Sequence, residues 1–318
     1  MSQKLTGKAF LAFPEMMNML KSELKNRLQY SAENATEYGD LLFCPDYPAD
    51  FPEPYWASTV MKNPFLLEFD SIKAAASALK AVQRNWAPYQ FQLFRRGALI
   101  QENLPYINLK PRTFPLEIPK SPVGLYTLTG EHKLIASADT SSPLPAGRIS
   151  FVEDHENPPS RAYLKIQESL SLAHYFFGVP LPSENQRCFE AGACPGGWTW
   201  VLAGLGTEVL AVDRAELSSE LMKNPLVTFR AHDAFTLKPN ELGSFDWVFS
   251  DVICYPERLL SWVRTWLESG KTKNMICTIK MQGEIDWKIV EEFAKIPHSR
   301  VLHLNYNKHE LTWIHCEP

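Results

Sequence analysis

Cys188-Phe-Glu-Ala-Gly-Ala-Cys-Pro-Gly-Gly-Trp-Thr199 decides the fold of this 318-residue chain. A short apolar lead ends on an acid, Glu190. Gly192, Ala193, Cys194 and Pro195 then turn the chain, and the pair Gly196-Gly197 opens a helical run to Leu205. A second apolar run, Glu208-Val-Leu-Ala-Val-Asp213, closes on a carboxylate 21 residues after Gly192. This reads as strand, glycine turn, helix and strand. Glycines let backbone pass next to a ligand and let the helix start tightly against the sheet. An acid ending the second strand can accept hydrogen bonds from the ribose hydroxyls of an adenosine. Positions 192, 194 and 197 read Gly, Cys, Gly, so the dinucleotide pattern G-x-G-x-x-G is unmet, and taken alone the stretch also fits a structural βα turn.

Downstream, strands and helices alternate. The strands read as Arg187–Glu190, Glu208–Val212, Leu226–Arg230, Phe245–Ser250 and Met275–Ile279. The helices include Gly197–Leu205, Pro256–Ser269 and Asp286–Ala294. Such alternation implies α/β architecture, with a mostly parallel sheet and helices on both faces. Val301–Asn305 and Leu311–His315 have no helix between them and predict an antiparallel hairpin at the sheet edge. A helix over Arg161–Phe177 precedes the glycine turn.

Asp251 follows the apolar run Trp247-Val-Phe-Ser250, and Lys280 follows Met275-Ile-Cys-Thr-Ile279. Carboxyl ends of strands are where open α/β sheets bind ligands. A lysine ending a buried strand needs a partner, because an unpaired buried ammonium is costly. Lys165, on the helix before the glycine turn, and Glu310, before the last strand, are candidates to join this pair. Taken singly, Lys165 reads as a solvated helix lysine and Glu310 as an exposed turn residue.

The composition is that of a globular protein, with 45% hydrophobic residues. No apolar stretch is long enough to span a bilayer, so no membrane partner is expected. The N-terminus lacks the apolar core of a signal peptide. Six cysteines without a C-x-x-C pair fit a reducing, cytoplasmic setting. Net charge is −4; residues 1–150 carry 16 Lys+Arg against 14 Asp+Glu, and residues 151–318 carry 16 against 22. Any nucleic-acid contact must therefore use local patches. His309 and Cys194 show no metal-ligand spacing, and no metal is expected.

Residues 1–100 read as a smaller N-terminal α+β domain. The order is Lys8–Phe13, helix Glu15–Leu28, Asp40–Cys44, Phe65–Phe69, helix Ser71–Arg84 and Tyr89–Phe94. This β-α-β-β-α-β order predicts a ferredoxin-like sheet. Residues 101–154 read as a proline-punctuated linker with a hairpin, Gly124–Leu128 and Lys133–Ala138, and residues 155–318 as the main domain. Arg95-Arg96, after Trp86, Tyr89, Phe91 and Phe94, reads equally as an RNA patch or a solvated strand end. Trp198 and Trp200 read as core residues rather than stacking platforms.

Pro159-Ser-Arg-Ala-Tyr-Leu-Lys165, Gly192-Ala-Cys-Pro-Gly-Gly-Trp198, Ser250-Asp251, Lys280-Met-Gln-Gly-Glu284 and Glu310 together resemble the FtsJ-type (RrmJ-like) 2′-O-ribose RNA methyltransferases. The likeness is greatest to the RlmM type, which modifies a cytidine of large-subunit ribosomal RNA. It covers residues 155–318 and extends more faintly to Ala9–Leu24. It implies a Rossmann-like methyltransferase domain, S-adenosylmethionine as cofactor and RNA, ribosomal RNA in particular, as partner. The family's Lys-Asp-Lys-Glu tetrad would fall on Lys165, Asp251, Lys280 and Glu310. The cofactor would be held by Glu190, Gly192, Ala193, Cys194, Pro195, Gly196, Gly197, Trp198, Asp213, Asp233 and Asp251. Glu190 stands where the family usually has Asp. A nicotinamide-dependent oxidoreductase and a non-catalytic RNA-binding protein with a relic methyltransferase fold are the other readings. The absent G-x-G-x-x-G weighs against the first, and the complete tetrad against the second.

Overall fold

The computed structural model describes residues 2–317. They form two compact units. One comprises the described residues up to Arg112 together with Ile118–Ser150, and the other Thr113–Glu117 with Phe151 onward.

The first unit holds strands β1 (Ser2–Lys4), β2 (Gly7–Ala12), β3 (Thr36–Tyr38), β4 (Leu41–Pro45), β5 (Ala57–Met61), β6 (Phe65–Glu68), β7 (Trp86–Pro88), β8 (Gly124–Gly130) and β9 (Lys133–Ser137), and helices α1 (Met17–Asn26), α2 (Ile72–Val82) and α3 (Phe94–Glu102). They build two sheets, β3-β4-β2-β5 and β1-β6-β9-β8-β7. The expected single ferredoxin-like sheet is therefore not what forms. The reason lies in the short connection Lys62-Asn63-Pro64, which joins β5 to β6 without a hairpin. Lys62 N–H donates to the Asp139 carbonyl, Asn63 N–H to Ser137 Oγ, and the Pro64 carbonyl accepts from Leu5 N–H. These bonds carry the chain from one sheet into the other, and Pro64 has no N–H to give a hairpin ladder. The predicted hairpin 124–138 forms, but as the centre of the five-stranded sheet rather than as part of a linker. Its side chains alternate. Tyr126, Leu128, Leu134 and Ala136 join Leu79, Trp86 and Ile100 in one cluster, and Leu125 and Ile135 join Ala9, Leu11, Leu41 and Met61 in another.

The strand expected at Tyr89–Phe94 is instead Trp86–Pro88, followed by a loop and α3. Leu93 takes φ +51° and α3 starts behind it, burying Gly97 and Ile100. The aromatic and basic residues of this stretch also separate. Trp86 is core, Phe94 is exposed, and the Arg96 guanidinium sits over the Phe69 ring.

The second unit is one seven-stranded sheet. Its elements are α4 (Tyr163–Phe177), β10 (Arg187–Ala191), α5 (Gly197–Gly204), β11 (Glu208–Asp213), β12 (Val227–Ala231), α6 (Pro239–Leu242), β13 (Trp247–Ser250), α7 (Pro256–Ser269), β14 (Asn274–Lys280), α8 (Trp287–Ala294), β15 (Ser299–Leu302) and β16 (Glu310–Cys316). The strand order is β12-β11-β10-β13-β14-β16-β15. The first five strands run parallel, and β16 and β15 add antiparallel at the edge, as the sequence pattern predicts. The helices pair as α4 with α5 and α7 with α8. Successive connections run outward from β10 in one direction and from β13 in the other. The carboxyl ends of β10 and β13 therefore flank the switch point at which such sheets open a crevice.

Candidate active site

That crevice is present. A cleft of about 340 Å³ is lined by Gly192 and Cys194 after β10, Asp213 and Arg214 at the end of β11, His232 and Asp233 after β12, and Asp251, Val252 and Ile253 after β13. Gly192 has φ +79°, and a Cβ there would stand 2.6 Å from the Val252 side chain and 3.1 Å from its backbone nitrogen. Only glycine lets the two strand ends approach so closely. Asp213 braces the turn, accepting the N–H of Cys194 at 3.0 Å and of Ala215 at 3.2 Å. Asp233 accepts from Arg214 at 2.7 Å and Arg258 at 3.2 Å. Burial works to raise the Asp233 carboxyl, and the Arg214, Phe235 N–H and Arg258 bonds outweigh it, leaving it below its usual range.

The expected cofactor residues divide. Gly192, Cys194, Asp213, Asp233 and Asp251 line the cleft; Glu190, Ala193, Pro195, Gly196, Gly197 and Trp198 do not. Ala193 is buried, and Pro195 accepts the Ser218 N–H through its carbonyl. A Cβ on Gly197 would meet Ser160 Oγ at 2.5 Å, and one on Gly196 would strike Leu221. The glycine pair thus serves close packing of α5. Trp198 is 2% exposed and packs edge-on against Phe249, so it is a core residue. Glu190 is also buried, and its Oε2 accepts the Thr199 hydroxyl at 2.5 Å. Burial pushes its carboxyl up to about 8. Arg214, His232, Ile253 and Arg258 line the cleft and were not among the expected residues. The legible signal was position: each lies within a few residues of a strand end or of the Asp251 loop.

The four charged residues meet. Register brings two of them together, because Lys280, last in β14, is the cross-strand partner of Glu310, first in β16. Asp251 leaves the neighbouring strand β13, and Lys165 rises from α4. Lys165 Nζ lies 2.7 Å from Glu310 Oε1 and 3.3 Å from Asp251 Oδ1; Lys280 Nζ lies 2.7 Å from Asp251 Oδ1 and 3.9 Å from Glu310 Oε1. Their side chains are between 7% and 20% exposed. Two ammoniums and two carboxylates cancel, which makes burial of four ions tolerable. Burial alone would drive the proton off Lys165. The two carboxylates outweigh it and hold Lys165 above its ordinary range. Burial likewise favours protonated Asp251 and Glu310, but the lysines hold both below the usual carboxylate range.

The turn that carries Glu310 is itself fastened. Glu168, one turn along α4 from Lys165, accepts the N–H groups of Asn305 and Tyr306, and Asn307 Nδ2 donates to the Glu310 carbonyl. Asp251 belongs to both halves of the site, since it lines the cleft and bonds both lysines. A molecule held in the cleft would thus present its reactive end to a lysine-carboxylate cluster able to orient a hydroxyl and move its proton.

Residues 158–291 match the FtsJ-like methyltransferase family. The second unit carries an FtsJ-like methyltransferase domain. Lys165, Asp251 and Lys280 fall inside the matched segment of this FtsJ-like domain, and Glu310 lies beyond it. The ribosomal RNA large subunit methyltransferase M of Hahella chejuensis is 34% identical over 187 residues, covering 56% of this chain and 46% of that protein. The protein of the same name from Xanthomonas oryzae pv. oryzae is 33% identical over 165 residues, covering 50% and 46%. The chain spans about half the length of the curated relatives it matches. Among solved structures, a fibrillarin/Nop5p complex aligns at a TM-score of 0.35 and 15% identity, over 49% of this chain and 84% of that one, too loosely to bear on the site. Among the described residues no helix is long and apolar enough to cross a membrane, and no group of His, Cys, Asp and Glu could hold a metal.

Proposed function

We propose that this chain transfers a methyl group from S-adenosylmethionine to a ribose 2′-hydroxyl of RNA, with ribosomal RNA as the substrate class. The carrying observation is the double duty of Asp251, which joins the cleft to the tetrad. The cleft suits the cofactor. Gly192 holds the two strand ends that form its floor close together, and Asp213 and Asp233 offer carboxylates toward an adenosine. Val252 and Ile253 offer apolar wall, and Asp251 is an anion placed for a cationic centre. Bound there, the cofactor supplies an electrophilic methyl on its sulfonium.

The two lysines take different parts. Lys165 is the more buried and lies within 3.4 Å of both carboxylates, so it is the fixed cation of the cluster. Lys280 is more open and has one close carboxylate, Asp251. In its amine form Lys280 Nζ accepts the proton of the 2′-hydroxyl as the oxygen attacks. Asp251 orients that amine, and Glu310 anchors Lys165 beside it. Fixed geometry of this sort supplies much of the rate. The relatives named above support ribosomal RNA as the substrate, and six free cysteines support a reducing compartment such as the cytoplasm.

Isothermal titration with S-adenosylmethionine and, separately, with NAD tests the cofactor, and transfer of labelled methyl to large-subunit ribosomal RNA tests the reaction. Selective binding of S-adenosylmethionine followed by 2′-O-methylation is expected. Binding of NAD, or of neither, sinks the proposal.

A further inference from the structure

The loop between β13 and α7 starts at Asp251, inside the tetrad, and its next two residues line the cleft. Beyond that it alternates. Cys254 turns inward and is buried. Ile253 and Tyr255 turn outward, 81% and 65% exposed. Among the described residues of this unit, Tyr255 is the one Phe, Tyr or Trp side chain left exposed. Its mount is rigid. The Tyr255 carbonyl accepts the N–H groups of Arg258 and Leu259 at the head of α7, and Pro256 follows it. Ile253 and Tyr255 together keep large apolar side chains in water on a loop that begins at Asp251, and clustered exposed apolar surface marks a contact surface.

We infer that Tyr255 is the platform on which the base of the target nucleotide stacks while its ribose enters the tetrad. This rests on the reading of the domain as an RNA ribose methyltransferase. The physical chain is short. The 2′-hydroxyl must come within hydrogen-bond reach of Lys280 and Asp251, and the base is attached to the adjacent carbon of the same sugar. A nucleotide so placed has left its own stack, and its exposed π-face gains most from an aromatic partner. Tyr255 lies four residues from Asp251, at most ~14 Å along the chain. The tyrosine ring is sequence-tolerant, so this contact grips any base and leaves identity to other groups.

The test uses the full chain, radiolabelled S-adenosylmethionine and unmodified large-subunit ribosomal RNA transcribed in vitro. Wild type, Tyr255→Phe and Tyr255→Ala are compared for methyl transfer, and each is titrated with S-adenosylmethionine. Tyr255→Ala is expected to lower kcat/KM for RNA by about 10- to 100-fold, with cofactor affinity within twofold of wild type. Tyr255→Phe, which keeps the ring, is expected to remain near wild type. Wild-type kcat/KM in the alanine variant overturns the inference, as does equal loss in the phenylalanine variant or loss of cofactor binding in either. A wild-type protein that binds the cofactor but methylates no RNA fails at the earlier reading and takes this one with it. An active wild type with an indifferent Tyr255 fails here alone.

Discussion

Four carboxylates withdrawn from solvent in the C-terminal unit fall into two regions with opposite ionisation. Asp251 and Glu310 stand at the mouth of the sheet, and Glu168 and Glu190 stand in its interior. Burial is the largest influence on all four, and in each case it favours the protonated acid. At the mouth, Lys165 and Lys280 reverse that preference and keep both acids ionised. In the interior no lysine intervenes. Glu168 has two backbone N–H donors and Glu190 one hydroxyl, and both are pushed up to about 8. Hydrogen bonds suffice to satisfy a buried carboxyl; a neighbouring cation is needed to keep it charged. The ionised carboxylates that chemistry can use are therefore concentrated where the cleft opens.

The largest expected effect comes from breaking the mouth region at its more open lysine. Lys280→Ala removes the proposed proton acceptor and should lower methyl transfer by at least about 10³-fold, within the range for general bases. Cofactor affinity should stay within a few-fold, because Lys280 does not line the cleft. Single-turnover transfer together with cofactor titration separates the two. Unchanged transfer would mean that another group takes the proton.

Breaking the cluster at its buried lysine should cost stability as well as activity. Lys165→Met leaves two carboxylates with one cation, a loss of about 3–5 kcal/mol at neutral pH. The pH dependence carries the diagnosis. Asp251 and Glu310 have depressed folded-state pKa values, so their favourable pairing is present above the ordinary carboxylate range and lost as pH falls through the folded values. The stability gap between wild type and variant should be widest near pH 7 and narrow toward pH 3. Thermal melts across that range measure it, and a gap independent of pH would contradict ionised carboxylates at the mouth.

The two regions were unequally legible in the sequence. Asp251 and Lys280 could be read because a charge directly ending an apolar run is conspicuous, and the alternation of runs placed both at one end of a parallel sheet. Lys165 and Glu310 taken singly look like surface residues, and only the likeness to a family tied them to the other two. Structure supplies the physical tie, which is the Lys280–Glu310 register across β14 and β16. Glu168 carried no signal, because its partners are the backbone amides of a turn 137 residues away. Trp198 and the glycine pair sit within the decisive stretch, yet sequence could not distinguish glycines that face a ligand from glycines that admit a neighbouring helix. In the N-terminal unit β2, β4, β6 and the 124–138 hairpin were readable, but β1, β3 and β5 were not, nor was sheet membership. Lys62-Asn63-Pro64 is short enough for a hairpin, and only bonds from distant residues show that it crosses between sheets.

The smallest effect sharpens the comparison most directly, because it converts an interior acid into its neutral analogue. Glu190 carries its usual value of 4.5 when unfolded and about 8 when folded. Between those values the folded state binds more protons than the unfolded state, so this residue makes stability fall as pH rises. Glu190→Gln is neutral throughout and keeps a carbonyl oxygen for the Thr199 hydroxyl. It should therefore gain on wild type from pH 5 to pH 8, reaching about 1–3 kcal/mol, as followed by urea unfolding at several pH values. Glu168→Gln should gain less or lose outright. Both Glu168 oxygens accept backbone N–H groups, and an amide nitrogen put in place of one of them leaves a buried donor unmatched, a cost of about 1–3 kcal/mol at any pH. A Glu190→Gln difference that is flat with pH would mean that Glu190 is ionised in the folded protein. Burial without a cation would then be compatible with charge here, and mouth and interior would no longer differ in kind.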